Sequence, residues 1–574
     1  MKAWAIAAAS LFAVASAAAQ APPPDLSGLW VAKLRFGPDV EGPLLLIRDG
    51  GGWRADIAGF DVPVRAEGDR LAFALPDGRG RFRGHLAGAR IDGQWVQEKS
   101  AGGGIEYSSP VTLVADGPGR WRGEVAPLAE TFTWYLPAVR EGSGYAAYLR
   151  NPERNQGRFL KVTRIEVDGA AARLLGPRGG KPEAEIASGR YDAEGDSLSL
   201  PLRGRTFDFD RDRSEASGFY PRGRTPGRYR YRPPLPLADG WPVGTLDSVG
   251  IDRPGIEAFV QRLIDMKMAP GGLQLHSLLI ARHGKLVLEE YFHGFDRDQP
   301  HDIRSAGKSL TATLIGAAML RGIPISEETP VYRTMLGTLP EGLDPRKKAM
   351  RLRHLMTMTS GHFCDDSNDS APGNETVMQD QTAEPDYYKY ILALPMDRNP
   401  GEKIVYCSVD AILAGGVLRQ LSGEPLDELF ERWVARPLDM GRHYLGLTPT
   451  GELYTAGGWY FRPRDMLKLP QLILNGGTWR GRRIVSADWV RKESTPYFAL
   501  NPQQGYGYFW NTADYPWKGR KVRAVFAAGN GGQIFLAIPE LNLAIAFTAG
   551  NYAEAAGLVP QRELVPNDIL PAVR

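Results

Sequence analysis

Ser305 and Lys308 stand three residues apart in Arg304-Ser-Ala-Gly-Lys308, at the head of the apolar run Ser309–Arg321 that reads as a helix. Positions three apart on a helix share a face, so a hydroxyl and an amine placed there can meet. A serine hydroxyl is a weak nucleophile until a base takes its proton. Lysine can be that base if burial lowers its pKa by about 3 units, roughly 4 kcal/mol of differential interaction. The positive end of the helix dipole opposes protonation of the amine and favours a developing anion. Such a pair would perform acyl transfer through a covalent serine intermediate. The same tetrapeptide also describes a capped helix with an exposed lysine, so its neighbours must decide.

Other chemistries find less support. The eight histidines show no His-Glu-x-x-His spacing and no Cys/His cluster, so no metal or other cofactor is expected. Asp365 and Asp366 are adjacent carboxylates, read as a solvated acidic loop in preference to metal ligands. Neither a Gly-x-Ser-x-Gly elbow nor a phosphate-binding Gly-x-x-x-x-Gly-Lys loop is present. A formal net charge of +3 over 574 residues gives no reason to expect a nucleic-acid partner.

The elements that must position Ser305 and Lys308 lie in the second half. Residues 246–574 mix helical and strand patterns. Ile256–Met266, Ser309–Arg321, Ala411–Leu421 and Leu426–Val434 have helical spacing. His276–Ala281 and Leu286–Glu289 form a hairpin around Arg282-His-Gly-Lys285, and Val522–Ala527, Gln533–Ile538 and Leu543–Thr548 read as strands. An early hairpin, a helical middle and late strands predict an α+β domain built on an antiparallel sheet. Residues 25–218 are different: short apolar or alternating runs are punctuated by Gly, Asp and Asn, which predicts an all-β domain, a lipocalin-like barrel or a β-sandwich. Gly-x-Trp recurs at Gly28-Leu-Trp30, Gly93-Gln-Trp95 and Gly119-Arg-Trp121, and strands near Trp30 and Trp121 suggest two related halves about 90 residues apart. Residues 219–245, crowded with Pro, Gly and Arg, read as the connection, laid over the domains it joins. Met1–Gln20 has a basic start, an apolar run and small residues at Ala17-Ala18-Ala19, so 1–19 are expected to be a cleaved signal peptide of a periplasmic or secreted protein. No later stretch is long and apolar enough for a membrane span.

The surroundings of Ser305 resemble the nucleophile helix of the serine β-lactamase and penicillin-binding-protein superfamily. Leu352-Arg-His-Leu-Met-Thr-Met-Thr-Ser-Gly361 is similar to that family's His-Leu-Leu-Thr-Met-Thr-Ser-Gly stretch. Pro400-Gly-Glu-Lys-Ile-Val-Tyr406-Cys-Ser408 resembles its run into the second motif, Tyr-x-Asn. Gly457-Gly458 to Arg462-Pro-Arg-Asp465-Met follows in family order, and Ala528-Gly-Asn530-Gly531-Gly532-Gln533 stands where the family has Lys-Thr-Gly or His-x-Gly. The flavour is that of class C-like esterases, D-aminopeptidases and 6-aminohexanoate-dimer hydrolases.

The resemblance implies roles. Ser305 would form the acyl-enzyme, Lys308 and Tyr406 would share base and acid duty, and the backbone N–H groups of Ser305 and Gln533 would hold the oxyanion. Ser408, Asn530, Gly531 and Gly532 would face the substrate, an ester, an amide or a short peptide; the ligand of the β-domain is not implied. Two departures stand out. Ser408 replaces Asn, and a hydroxyl is shorter than a carboxamide. Asn530 replaces the cation that faces the drug's carboxylate in β-lactamases, which weakens the case for β-lactam substrates. The resemblance also places Cys364 and Cys407 beside one site, and in an exported chain that suggests one disulfide, worth about 4 kcal/mol for a loop of about 43 residues. The alternatives are a penicillin-binding-like receptor that acylates without turnover, and a non-catalytic binding protein on the same scaffold.

Overall fold

Strands that pack on both faces must be apolar at every position, and those that pack small residues on one face let helices come close. The computed structural model describes residues 24–99, 104–142 and 144–574. The expected signal segment 1–19 lies outside them. Two compact units result. One takes the chain up to Ala32 with Trp134–Leu149 and Phe159–Asp212; the other takes Lys33–Thr133, Arg150–Arg158 and Arg213–Arg574.

The first unit is built on a closed eight-stranded antiparallel barrel of Gly28–Phe36, Glu130–Glu141, Gly144–Ala147, Arg164–Asp168, Ala171–Arg178, Lys181–Asp192, Ser197–Leu202 and Arg205–Arg211. Trp30 sits opposite Arg211 where the ring closes, fully buried, with the Arg211 guanidinium 4.2 Å above its indole.

The second unit holds another closed sheet. Its strands run from Gly42–Asp49 to Arg120–Val125, and the last pairs with both the first and Tyr107–Ala115. Phe73, Phe82 and Trp95 fill it, and Gly93 leaves room for the Phe82 ring, which a Cβ there would meet at 2.4 Å. The all-β reading of this region therefore agrees with its sheets, but the halves are not divided as the Gly-x-Trp spacing suggested. The Trp30 strand closes the later ring and the Trp121 strand closes the earlier one.

Residues 246–574 of the same unit carry an eight-stranded antiparallel sheet. Its order is Lys285–Tyr291, Leu275–Arg282, Leu543–Ala549, Gln533–Ile538, Arg520–Gly529, Asn511–Trp517, Gln504–Tyr506 and Phe498–Asn501. The predicted hairpin and the three predicted strands are all in it. Period-two alternation explains its two cores. Leu278, Ile280, Leu536, Ile538, Leu543 and Ile545 face the helix Arg253–Ile264 and the C-terminal segment. Leu279, Ala281, Ala537, Ala544 and Ala546 face the other way, and these small residues admit the helices that carry the site.

The helix Gly307–Leu320 is buried from Gly307 to Ala318, the pattern of a central helix. It packs with Ser408–Ser422 and with Trp489, whose ring occupies the space beside Gly316. The segment 219–245 has no helix or paired strand of its own. Tyr231 donates from its hydroxyl to the Val287 carbonyl at 2.7 Å, and Tyr229 bonds Glu290, so the Arg/Tyr alternation lays its tyrosines on the sheet edge. No helix among the described residues is long and apolar enough to cross a membrane.

Candidate active site

Ser305 sits in a single 3-10 turn, Arg304–Ala306, that leads straight into Gly307–Leu320. Arg304, just before it, has φ +50°, a conformation that costs of order 1–3 kcal/mol for a side-chain-bearing residue. Asp302 holds it there. Its carboxylate accepts from the Arg304 amide at 2.9 Å and pairs with the guanidinium at 3.0 Å. Asp302 is buried and also faces Arg154 at 3.5 Å. Gly457 lies against the same turn with φ +145°, and a Cβ on it would stand 2.4 Å from the Arg304 carbonyl oxygen. This contact requires the first glycine of the Gly457-Gly458 pair.

One helical turn on, Lys308 Nζ donates to Ser305 Oγ at 2.9 Å and to the Ala456 carbonyl at 2.9 Å. Tyr406 lies over the amine, its ring centre 5.1 Å from Nζ, and keeps 38% of its surface exposed. The sequence pair thus meets as its spacing predicts. Its electrostatics differ from expectation. Burial is the largest influence on Lys308 and pushes its pKa down, but Tyr406, Glu375 and Asp366 together outweigh it and hold the amine above the ordinary lysine value. The downward shift a lysine base needs is absent because acids gather around the amine.

Asp366 explains part of this. It does not belong to a solvated loop. One oxygen accepts from the Glu375 amide at 3.0 Å, and the other accepts from both the amide and the hydroxyl of Ser408, at 2.8 and 2.7 Å. Burial pushes its carboxyl up, and nearby Glu375 adds to the rise. Asp365 alone stays at the surface, accepting from the Ser367 amide. Ser408 is therefore not a substrate contact: it is fully buried, and its hydroxyl is committed to Asp366. Cys364 and Cys407 are joined in a disulfide, with Cα atoms 5.8 Å apart, next to Tyr406.

An open cleft of about 320 Å³ brings Ser305 and Tyr406 together with Tyr506, Phe509, Asn530 and Gly531. Asn530 is exposed, and its side-chain oxygen accepts from the Ala553 amide at 2.7 Å. Gly531 and Gly532 have φ near +100°, as a tight strand-end turn demands. A Cβ at Gly531 would meet the Tyr552 ring at 2.7 Å, and one at Gly532 would meet Ala549 at 2.9 Å. Packing of the chain's own loop requires both glycines; only Gly531 of the two reaches the cleft. Gln533 is buried, its side chain bonded to the Ala549 carbonyl and amide at 2.6 and 3.3 Å. That side chain pins the strand start whose backbone was expected at the oxyanion.

Sequence reasoning missed four contributors. Asp302 and Arg154 hold the nucleophile turn, Glu375 shares in the field at Lys308, and Glu554 lines the cleft. Asp302 stands three residues before Ser305 and carries a readable signal, an acid beside a strained turn. The others arrive from distant segments, and their types give no signal.

The Beta-lactamase family model matches residues 258–560. A 6-aminohexanoate-dimer hydrolase from Paenarthrobacter ureafaciens is 26% identical over 250 residues, 41% of this chain and 61% of that protein. The chain thus spans less than two thirds of that relative. Among solved structures, an octameric penicillin-binding protein homologue from Pyrococcus abyssi aligns with a TM-score of 0.41 and 20% identity, covering 55% of this chain and 79% of its own. A family VIII carboxylesterase aligns with a TM-score of 0.41 and 17% identity, covering 56% and 98%. With its Ser-x-x-Lys pair on a buried helix beside an antiparallel sheet, and a family match over more than half its length, the chain belongs to the beta-lactamase family.

Proposed function

We propose that this chain is an exported serine hydrolase that cleaves an ester or amide bond through an acyl-enzyme on Ser305. The observation that carries the reading is the 2.9 Å hydrogen bond between Lys308 Nζ and Ser305 Oγ, under Tyr406, at the floor of an open cleft. Ser305 Oγ attacks the carbonyl carbon and gives up its proton, and the leaving group departs with a proton returned by the same acid–base pair. With Lys308 held above the ordinary lysine value and donating to Oγ, Tyr406 is assigned the proton-accepting role and Lys308 the positioning of Oγ. The amides of Ser305 and Gln533 form the oxyanion hole. Water then attacks the acyl-enzyme by the reverse proton path.

The name of the Paenarthrobacter relative, a 6-aminohexanoate-dimer hydrolase, supports hydrolysis as the reaction class. Export rests on Met1–Gln20, and the Cys364–Cys407 disulfide is consistent with an oxidising compartment. We assign residues 246–574 as the hydrolase domain, 219–245 as the connection, and 25–218 as an all-β region with lipocalin-like closed sheets. No cofactor enters the reaction.

The test is hydrolysis of p-nitrophenyl acetate and butyrate with time-resolved intact mass, wild type beside Ser305→Ala. Turnover by the wild type with a transient acyl adduct, both lost in the variant, is the expected result. Activity retained by Ser305→Ala removes the nucleophile. A wild-type adduct that never clears makes the protein an acylated receptor instead.

A further inference from the structure

The cleft at Ser305 is lined by one carboxylate, Glu554, with hydroxyl, amide, backbone and apolar groups around it. Glu554 is half-buried on the loop after Leu543–Ala549. Its Oε2 accepts from Asn551 Nδ2 at 3.3 Å. Asn551 is fully buried and fixed on three further sides: it donates to the Gly272 carbonyl, accepts from the Gln274 amide, and donates its own amide to Gly531. The carboxylate is therefore aimed by a rigid neighbour. Its other oxygen, Oε1, has no hydrogen-bond or ion-pair partner among the described residues.

Among the described residues no lysine or arginine lines the cleft, and those next to its lining are committed elsewhere. Lys308 faces Ser305, Ala456, Asp366 and Glu375. Arg304 pairs with Asp302 and lies over the Tyr552 ring at 4.8 Å. Arg158 donates to the Ala553 carbonyl at 2.6 Å. Asn530, a neutral side chain, spends its oxygen on the Ala553 amide. An incoming carboxylate would meet like charge without a counter-charge, and an incoming ammonium would meet a partner.

We propose that Glu554 makes this cleft selective for substrates carrying a cation, an amine- or quaternary-ammonium-bearing ester or amide. The inference rests on the hydrolase reading above and names its substrate class. A partly exposed ion pair in an open cleft should favour the cationic substrate roughly three- to tenfold in kcat/KM at low salt, less as salt rises.

Two isosteric pairs locate the charge. p-Nitrophenyl 6-aminohexanoate against p-nitrophenyl heptanoate places it on the acyl side; butyrylcholine against 3,3-dimethylbutyl butyrate places it on the leaving side. The mono-p-nitrophenyl ester of adipate is the anionic control. A cation preference in either pair that falls to near one in Glu554→Gln, and reverses toward adipate in Glu554→Lys, is the expected outcome. Indifference in both pairs, or a wild-type preference for adipate, overturns the assignment. Should no ester turn over, the hydrolase reading fails separately, and binding still decides. Fluorescence titration of the full chain carrying Ser305→Ala with butyltrimethylammonium, against 3,3-dimethylbutanol, should show tighter binding of the cation that Glu554→Gln removes; equal binding of the two sinks the proposal.

Discussion

At the scale of single residues, the groups around Lys308 bear on which member of the proposed acid–base pair moves the proton. On the proposed assignment of proton transfer to Tyr406, beside an amine held above the ordinary lysine value, Tyr406→Phe should lower kcat by about 10²–10⁴ with little change in KM. Steady-state kinetics on p-nitrophenyl butyrate read this directly; a Tyr406→Phe enzyme within threefold of wild type returns the base role to Lys308. Ser408→Ala tests a different link. It removes the hydroxyl from a carboxylate that keeps only amide donors, and should cost about 1–3 kcal/mol in urea unfolding. The pair Ser305 and Lys308 was legible because helical spacing converts sequence distance into spatial distance. The state of Lys308 was not, because Asp366 and Glu375 reach it from 58 and 67 residues away in sequence, and no local pattern records that approach. Glu554 escaped notice for the same reason.

At the scale of elements, the nucleophile helix is positioned by what presses on its first turn. Gly457→Ala brings a methyl to 2.4 Å from the Arg304 carbonyl and strains a backbone at φ +145°, so the turn must shift. The expected result is loss of at least about tenfold in kcat, since a displacement of 1 Å at a reacting group can cost about a hundredfold. Far-ultraviolet circular dichroism should stay native, and wild-type kcat in the variant would show that the contact does not position Ser305. The disulfide acts on the next element. It closes a loop of 43 residues between the Cys364 segment and the helix Ser408–Ser422, and reducing it, or replacing both cysteines by alanine, should lower unfolding free energy by about 4 kcal/mol. Strands and helices of 246–574 were readable because each shows a clean period of two or 3.6. The boundaries moved by a few residues where a cap decided them, as at Arg253–Ile264, where Asp252 accepts from the Gly255 amide. Ring closure in 25–218 was not readable: the Trp30 strand looks the same whichever ring it completes.

At the scale of the whole chain, pairings far apart in sequence tie the site to its surroundings. Leu445–Gly446 adds a two-residue strand beside Tyr107–Ser108, and Arg83 pairs with the buried Asp427 and with Glu428. Two-residue ladders leave no periodic trace, so this level of organisation was invisible beforehand. A buried histidine group makes the most testable statement here. His301 Nδ1 lies 3.0 Å from the Asp302 carbonyl, which can only accept, so Nδ1 carries the proton and Nε2 accepts from His276 Nδ1 at 2.8 Å. His276 Nε2 then has no hydrogen-bond partner among the described residues for a second proton. Burial pushes His301 down to about 4, and burial with neighbouring His301, His293 and Arg150 holds His276 well below the ordinary range. Unfolded histidine binds its proton near pH 6.5, so below that value the unfolded state holds more protons and stability falls as pH drops. For His301 the loss should accumulate between about pH 6.5 and 4 and reach about 3 kcal/mol, with His276 adding to it. Urea unfolding of the full chain at pH 7, 6 and 5 measures the slope. Replacing His301 with asparagine should flatten it by up to about 1.4 kcal/mol per pH unit, relative to the carboxylate contribution both proteins share. Because Asp302 links this group to Arg304, wild-type kcat should be untouched by these histidines down to about pH 4, where the folded His301 itself takes up a proton. Parallel pH slopes in wild type and His301→Asn would mean that the buried histidines carry none of the acid sensitivity.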